Sequence, residues 1–353
     1  MLLPSLPRRD LTSLAVAAAL ALTAVACGGS PPPPAASASP SAPPKPAPMT
    51  VEQGVDFYKK CWDQFNAKTW DTFQNCYTPD ASSESIDSGQ PPVKGRAAII
   101  EAAKAEVAPN PDVRGELQLV LANGAHIASV ALWKGTHTAP MPGPGGQPIA
   151  ATGKPFGFLM AHTVDLDADR TAAQADAAYV EVGTLLGQLG LSKAPVRPAS
   201  ASGAAATTVV IAKNDEAEAS NVAKVEAQLE AFNKHDTAAL AGLLGGGYVL
   251  HEIAMPADVN KKQSLASLKD LFKAFTNVKL TPSEVWGAGD YVVLKGTFEG
   301  TNDGAMPAMG LKKGTGKPVK AQFIEIYRLE NGTIAEDWLF YNGASFAGQL
   351  GLS

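Results

Sequence analysis

A chain of 353 residues with 45% hydrophobic content is long enough for about two domains of ordinary size and has the make-up of a soluble globular protein. Its net charge of −5 is mild, and acidic side chains outnumber basic ones in each half, which excludes the basic footprint of a nucleic-acid binder. Residues 1–27 read as an export signal: Arg8 and Arg9 come first, then the apolar run LTSLAVAAALALTAVA, then Cys27 after small residues. The run is too short to cross a bilayer comfortably. The Arg8-Arg9 pair also fits twin-arginine export, but Asp10 and Leu11 continue that motif poorly, so the route stays open.

The end of this segment, LTAVACGGS, resembles the lipobox of bacterial lipoproteins, although Ala24 stands where that box prefers leucine. The resemblance implies a lipid (palmitate) on Cys27, a membrane held through that N-terminal anchor, and a location at the cell envelope. The alternative is an ordinary secretory signal with a coincidental cysteine. Residues 28–49 are too rich in Pro, Ala and Ser to pack a core and are expected to form an extended tether.

VEQGVDFYKKCWDQFN then predicts a helix and TWDTFQNCY a second, short one. Cys61 and Cys76 would face each other across this hairpin, and an oxidising compartment favours a bridge between them over free buried thiols. The amphipathic helix GRAAIIEAAKAEV follows, and after it come alternating strands such as HIASVALWKGT and KPFGFLMAHTVDL. The first unit closes on GQLGLS at 187–192, a hexapeptide that recurs at 348–353.

Other landmarks recur with it. Phe65-Asn66 matches Phe232-Asn233, Lys134-Gly135-Thr136 matches Lys295-Gly296-Thr297, and Thr152-Gly153-Lys154-Pro155 matches Thr315-Gly316-Lys317-Pro318. The offsets of 167, 161, 163 and 161 describe one unit present twice, with small insertions between fixed landmarks. Domains are expected over 50–192 and 209–353, with a linker over 193–208 rich in Ala, Ser and Pro. Helices first and strands after, with an Asn-Gly hairpin turn at 331–332, give an α+β class: two tandem cone-shaped domains, each with N-terminal helices packed on a curved antiparallel sheet. The two domains are expected to pair as a pseudo-dimer.

WKGTHTAPMPG followed by ATGKPF, the Asn-Gly turn before a tryptophan strand, and a closing Q-L-G resemble the SnoaL-like polyketide cyclase or ester cyclase family, within the nuclear transport factor two-like superfamily. The resemblance implies an apolar pocket for a small hydrophobic or carbonyl-rich molecule and, in enzymes, aldol chemistry at one carboxyl with no metal or organic cofactor. The family's carboxyl lies seven residues before the Gln of Q-L-G, which is Glu181 in the first unit and Asn342 in the second. Glu181 is either that acid/base or a solvent-facing edge residue. His137 matches the family's histidine after Gly-Thr, with Phe298 as its expected counterpart. Trp133, Phe158, Met160 and His162 are expected to line the first pocket; Glu325, the counterpart of His162, lines the second with Trp338 and Asn342. Ala177 replaces the strand tryptophan in the first unit. A histidine among core residues can equally be merely hydrogen-bonded. His251-Glu252 is not a zinc motif, because Met255 stands where the second histidine would be. Two classes remain: a binding protein without catalysis, or a cofactor-free cyclase or isomerase working through Glu181.

Overall fold

The computed structural model describes residues 47–142, 147–193, 195–204 and 206–352. The signal segment, Cys27 and most of the tether lie outside the described residues. The first repeat runs α1 (Val51–Asn66), α2 (Trp70–Phe73), β1 (Tyr77–Ser85), β2 (Val93–Lys94), α3 (Arg96–Val107), β3 (Arg114–Asn123), β4 (His126–Thr136), β5 (Met141–Pro142), β6 (Pro148–Ile149), β7 (Pro155–Leu166), β8 (Ala173–Tyr179) and α4 (Val182–Gln188). After β9 (Thr208–Ile211) the second repeat gives α5 (Glu216–Asn233), α6 (Thr237–Leu243), β10 (Leu244–Glu252), β11 (Val259–Asn260), α7 (Lys261–Ala274), β12 (Lys279–Ala288), β13 (Tyr291–Thr301), β14 (Pro318–Glu330), β15 (Thr333–Tyr341) and α8 (Gly343–Leu350).

Among the described residues the sheets are ordered β2-β1-β8-β7-β4-β3-β9 and β11-β10-β15-β14-β13-β12. The fold is α+β with curved sheets, as the element order predicts. The sheets are mixed rather than purely antiparallel, because β1 runs parallel to β8 and β10 parallel to β15. Local chemistry sets the ends of the elements. Thr50 with Gln53 and Asn260 with Gln263 form capping boxes at α1 and α7, each satisfying two otherwise orphaned N–H groups. Asn331 and Gly332 take φ of 51° and 75°, the two positive values a tight hairpin turn needs.

The recurrent polar residues are pins. Asn66 donates to Gly115 O at 2.8 Å and accepts from Gly115 N at 2.9 Å, locking the end of α1 to β3. Asn233 does the same to Leu280 on β12, at 2.9 and 2.8 Å. The glutamine of each Q-L-G extends a sheet with its amide: Gln188 bonds both backbone groups of Gly157, and Gln349 those of Lys320. One expected match is corrected. Trp133 pairs with Phe158 and Phe298 with Ala321, so Trp133 corresponds to Phe298, and the Lys-Gly-Thr repetition is displaced by four residues from structural equivalence. The counterpart of His137 is therefore Asn302: each receives Gly153 N or Gly316 N on its carbonyl and Thr152 N or Thr315 N on its side chain.

Cys61 and Cys76 form a disulfide that ties α1 to the turn before β1. One buried cluster extends from Val55, Trp62 and Trp133 through Val130 and Ala161 into Ile253, Val293, Ile324, Ile326 and Phe340 of the second repeat. The segment between the repeats lies along the first. Ser200 N donates to Gly157 O at 2.9 Å, Lys134 Nζ to Ala201 O at 2.7 Å and Thr207 Oγ1 to Leu117 O at 2.8 Å. β9 then pairs with Leu119–Ala122 of β3. Gly157 is required for this route, since a Cβ there would stand 2.1 Å from Ser200 O.

Candidate functional site

Period-two alternation on β7 turns Phe158, Met160 and His162 toward the helices, opposite Trp133, Ala131 and Ser129 of β4. The first interior is filled by rings. Trp62 lies edge-on to Trp133 at 6.5 Å and to His162 at 5.6 Å, and Phe65 packs on Trp133 at 5.5 Å. His162 Nδ1 is 3.0 Å from the Tyr58 hydroxyl, which is also 2.7 Å from Ser129 Oγ. Tyr77 donates to Asp176 at 2.7 Å, while His162 Nε2 stands 3.8 Å from the same carboxylate, beyond a good hydrogen bond. Burial raises both tyrosine hydroxyls above their ordinary range, so they serve as donors.

Glu181 caps the N-terminus of α4. Its carboxylate accepts from Gly183 N at 3.2 Å and from Thr184 N, and then from Gly343 N at 3.0 Å, the first residue of α8 in the other repeat. It is 4% exposed, and the solvent-facing alternative does not describe it. Asn342 caps α8 in the same way, accepting from Ser345 N at 3.0 Å, and donates to Asp87 O at 3.1 Å. Each side chain takes up N–H groups at the start of its helix, a task that a carboxylate or an amide oxygen can do. His137 is fully buried where the chain enters the β5–β6 hairpin. Its Nδ1 accepts from Thr152 N, and its Nε2 has no partner among the described residues. Trp338 faces away from the helices and stacks on His251 at 4.9 Å.

The concave face of the second sheet holds a carboxyl and tyrosine set. Cross-strand register aligns Glu325 with Leu339 and Tyr327 with Asp337, and Glu252 lies across from Leu339 on the next strand. Tyr327 donates to Glu325, Tyr341 to Glu252 at 2.7 Å and Tyr248 to Asp337 at 3.2 Å. Asp337 is 2% exposed and its Oδ1 has no partner among the described residues. The walls are apolar: Val225, Val292, Leu294, Phe323, Leu329 and Ile334.

Such a setting disfavours charge. Burial pushes the Glu325 carboxyl up to about 7, the Tyr327 hydrogen bond pulling against it and Glu252 adding to it. Burial, then the neighbouring Glu325, hold Asp337 well above the carboxylate range. Glu252 is raised as well, by burial first, with Tyr341 and Arg197 opposing. A carboxyl near neutrality beside hydroxyl donors can accept a proton, give one back, and hold an oxygen that gains charge.

Among the expected residues, the structure brings Trp133, Phe158, Met160 and His162 together in the first interior and places Glu325 in the second. Glu181 and Asn342 lie at the junction of the repeats, and Trp338 on the far side of its sheet. Asp176 and Asp337 escaped the sequence reading. Their signal is an aspartate in the same place of both copies, in AQADAAY and again 161 residues on in IAEDWLFY. Among the described residues no group of three His, Cys, Asp or Glu side chains is placed to hold a metal ion.

The family description "SnoaL-like polyketide cyclase" matches residues 52–177 and again 223–350. No curated protein matches the chain. Similar solved structures include a SnoaL-like polyketide cyclase from Jannaschia, at 18% identity over 40% of this chain and 98% of that one, with a TM-score of 0.37. IdmH, a polyketide cyclase from Streptomyces antibioticus, is similar at 20% identity over 37% of this chain and 98% of its own, TM-score 0.33. TsrD from Streptomyces laurentii follows at 22% over 40% and 100%, TM-score 0.34. With two successive matches that together span well over half its length, the chain belongs to the SnoaL-like polyketide cyclase family.

Proposed function

We propose that this is an exported protein held at the cell envelope by a lipid on Cys27, whose paired repeats, a pseudo-dimer within one chain, bind a small hydrophobic, carbonyl-bearing molecule. The observation that carries the reading is the second interior, where Glu252, Glu325 and Asp337 face apolar walls with a tyrosine beside each. Neutral carboxyls, each accepting a hydrogen bond from its tyrosine, present their own O–H to a carbonyl oxygen while the walls take its hydrocarbon frame. The first interior, packed with rings, supports the fold beside it.

A second reading, cofactor-free cyclase or isomerase chemistry, is favoured by Glu325 standing at about 7 next to a tyrosine hydroxyl. In that reading Glu325 takes the proton next to a carbonyl, and Asp337 with Tyr248 steadies the oxygen. Glu181, already accepting three N–H groups, has the position of a cap rather than a base.

Native mass spectrometry of protein taken from its own membrane tests both readings. A bound small molecule lost in Glu325→Gln supports the site; a ligand retained unchanged in that variant removes it. For any carbonyl substrate found turned over, Glu325→Gln is expected to lower the rate by about 10² to 10⁴. Glu181→Gln is expected to leave the rate alone and lower stability by about 1–3 kcal/mol.

A further inference from the structure

The faces of the two sheets turned away from the helices meet each other, and the seam between them is not symmetric. On the second repeat this face carries Trp338, with His251 stacked on it and Tyr291 at 6.4 Å. Register puts Ala177 at the equivalent point of the first repeat. Ala177 pairs with Thr163 and Glu84, as Trp338 pairs with Ile326 and His251. Where one repeat has an indole, the other has a methyl group and a space.

That space is part of an open pocket of about 170 Å³, lined by residues that include Ser82, Glu84, Thr163, Asp165 and Ala177, with Lys295 contributed by the second repeat. Its volume is that of about six waters, enough for a molecule the size of alanine or serine and too small for a fused-ring ketone. The lining has two signs of charge. Asp165 is shared with His126 at 2.7 Å, Lys295 with Glu284, and Glu84 has no ion-pair partner among the described residues. Asp176, which also borders the cavity, is held by Tyr77. The lining combines carboxylates of the first repeat, an ammonium of the second and the hydroxyls of Ser82 and Thr163, a set that matches a molecule carrying both charges a few bonds apart. A simple anion would meet Glu84 and Asp165, and a long diamine would meet Lys295.

We propose that this seam cavity binds a small zwitterion of the α-amino-acid class. The ammonium sits between Glu84 and Asp165, the carboxylate faces Lys295, and a short side chain occupies the space that Ala177 leaves. The site shares Asp176 with the first interior but no residue named in the second, and does not depend on what the second interior binds.

Isothermal titration of the full-length protein with L-alanine tests this, with ethanolamine and acetate as half-molecules. One saturable site with a Kd of about 1 mM or below is expected, with each half-molecule at least about tenfold weaker. Ala177→Trp, which installs the sister repeat's residue, should abolish binding; Glu84→Gln should weaken it by about tenfold or more. The proposal is overturned by absence of alanine binding up to about 10 mM, by ethanolamine binding as tightly as alanine, or by a folded Ala177→Trp protein that binds like the wild type. Should the tryptophan variant fail to fold, Glu84→Gln decides, and unchanged affinity there overturns the idea.

Discussion

At the scale of single residues, the interior carboxyls of the second repeat set a pH dependence whose sign is opposite to that of an ordinary ion pair. Burial raises Glu325 to about 7 in the folded protein, above its ordinary carboxylate value. Below the unfolded value both states hold the proton and the contribution to stability is fully present. As pH rises from there to about 7 the unfolded chain gives up its proton first, and stability falls. Asp337 and Glu252, raised by the same cause, act in the same direction. Urea unfolding midpoints should therefore decrease between about pH 5 and pH 8, and Glu325→Gln should flatten that slope. A slope that steepens or stays unchanged in the variant would mean this carboxyl is not the group responsible. The same residues show where sequence reading stops. A glutamate on a strand announces its residue type, but whether it faces an apolar wall depends on register against strands far away, as Glu325 opposite Leu339 illustrates.

At the scale of elements, the reading from sequence went further, because helices, strands and turns rest on local patterns. The Thr-x-x-Gln box of α1, the Asn-Gly turn between β14 and β15 and the two Q-L-G segments all name short-range geometry. Matching the two copies by identical tripeptides failed at Lys-Gly-Thr, since a residue's role is set by its partner across the sheet and not by its neighbours in the chain. Glu181 shows the same limit: counting seven residues back from the Gln reaches it, yet its carboxylate is taken up by the ends of two helices, one of them distant in sequence. The disulfide belongs to this scale as well. It closes a loop of 15 residues between α1 and the turn before β1, and loop-closure entropy makes it worth about 3 kcal/mol. The double variant Cys61→Ser with Cys76→Ser should lower the unfolding free energy by about that amount while keeping the circular dichroism of the fold. A loss well under 1 kcal/mol would show that the packing of Trp62 and Phe65 already holds this joint.

At the scale of the whole molecule, the repeats share a buried cluster, and the chain between them is structural rather than slack. Composition hid this, because a stretch rich in Ala, Ser and Pro reads as a spacer, and its seat depends on glycines elsewhere. At Gly157 the second copy has Lys320. One consequence concerns the order in which the polypeptide appears during synthesis. A first repeat that has left the ribosome only as far as residue 192 presents the outer edge of β3, a row of unpaired N–H and C=O groups around the buried run Leu119 to Ala122. Residues 208–211 cover that edge, so the nascent chain remains open to pairing with its neighbours until the segment nominally belonging to the next unit has emerged. Both fragments 47–192 and 47–212 expose the face that the second repeat covers, but only 47–192 also leaves the β3 edge open, so it is expected to aggregate faster in sedimentation runs, and equal behaviour of the two would show that the edge protects itself. Each molecule in production thus passes through an interval of vulnerability whose length is set by the translation of about twenty residues, roughly one to four seconds at ordinary rates of synthesis.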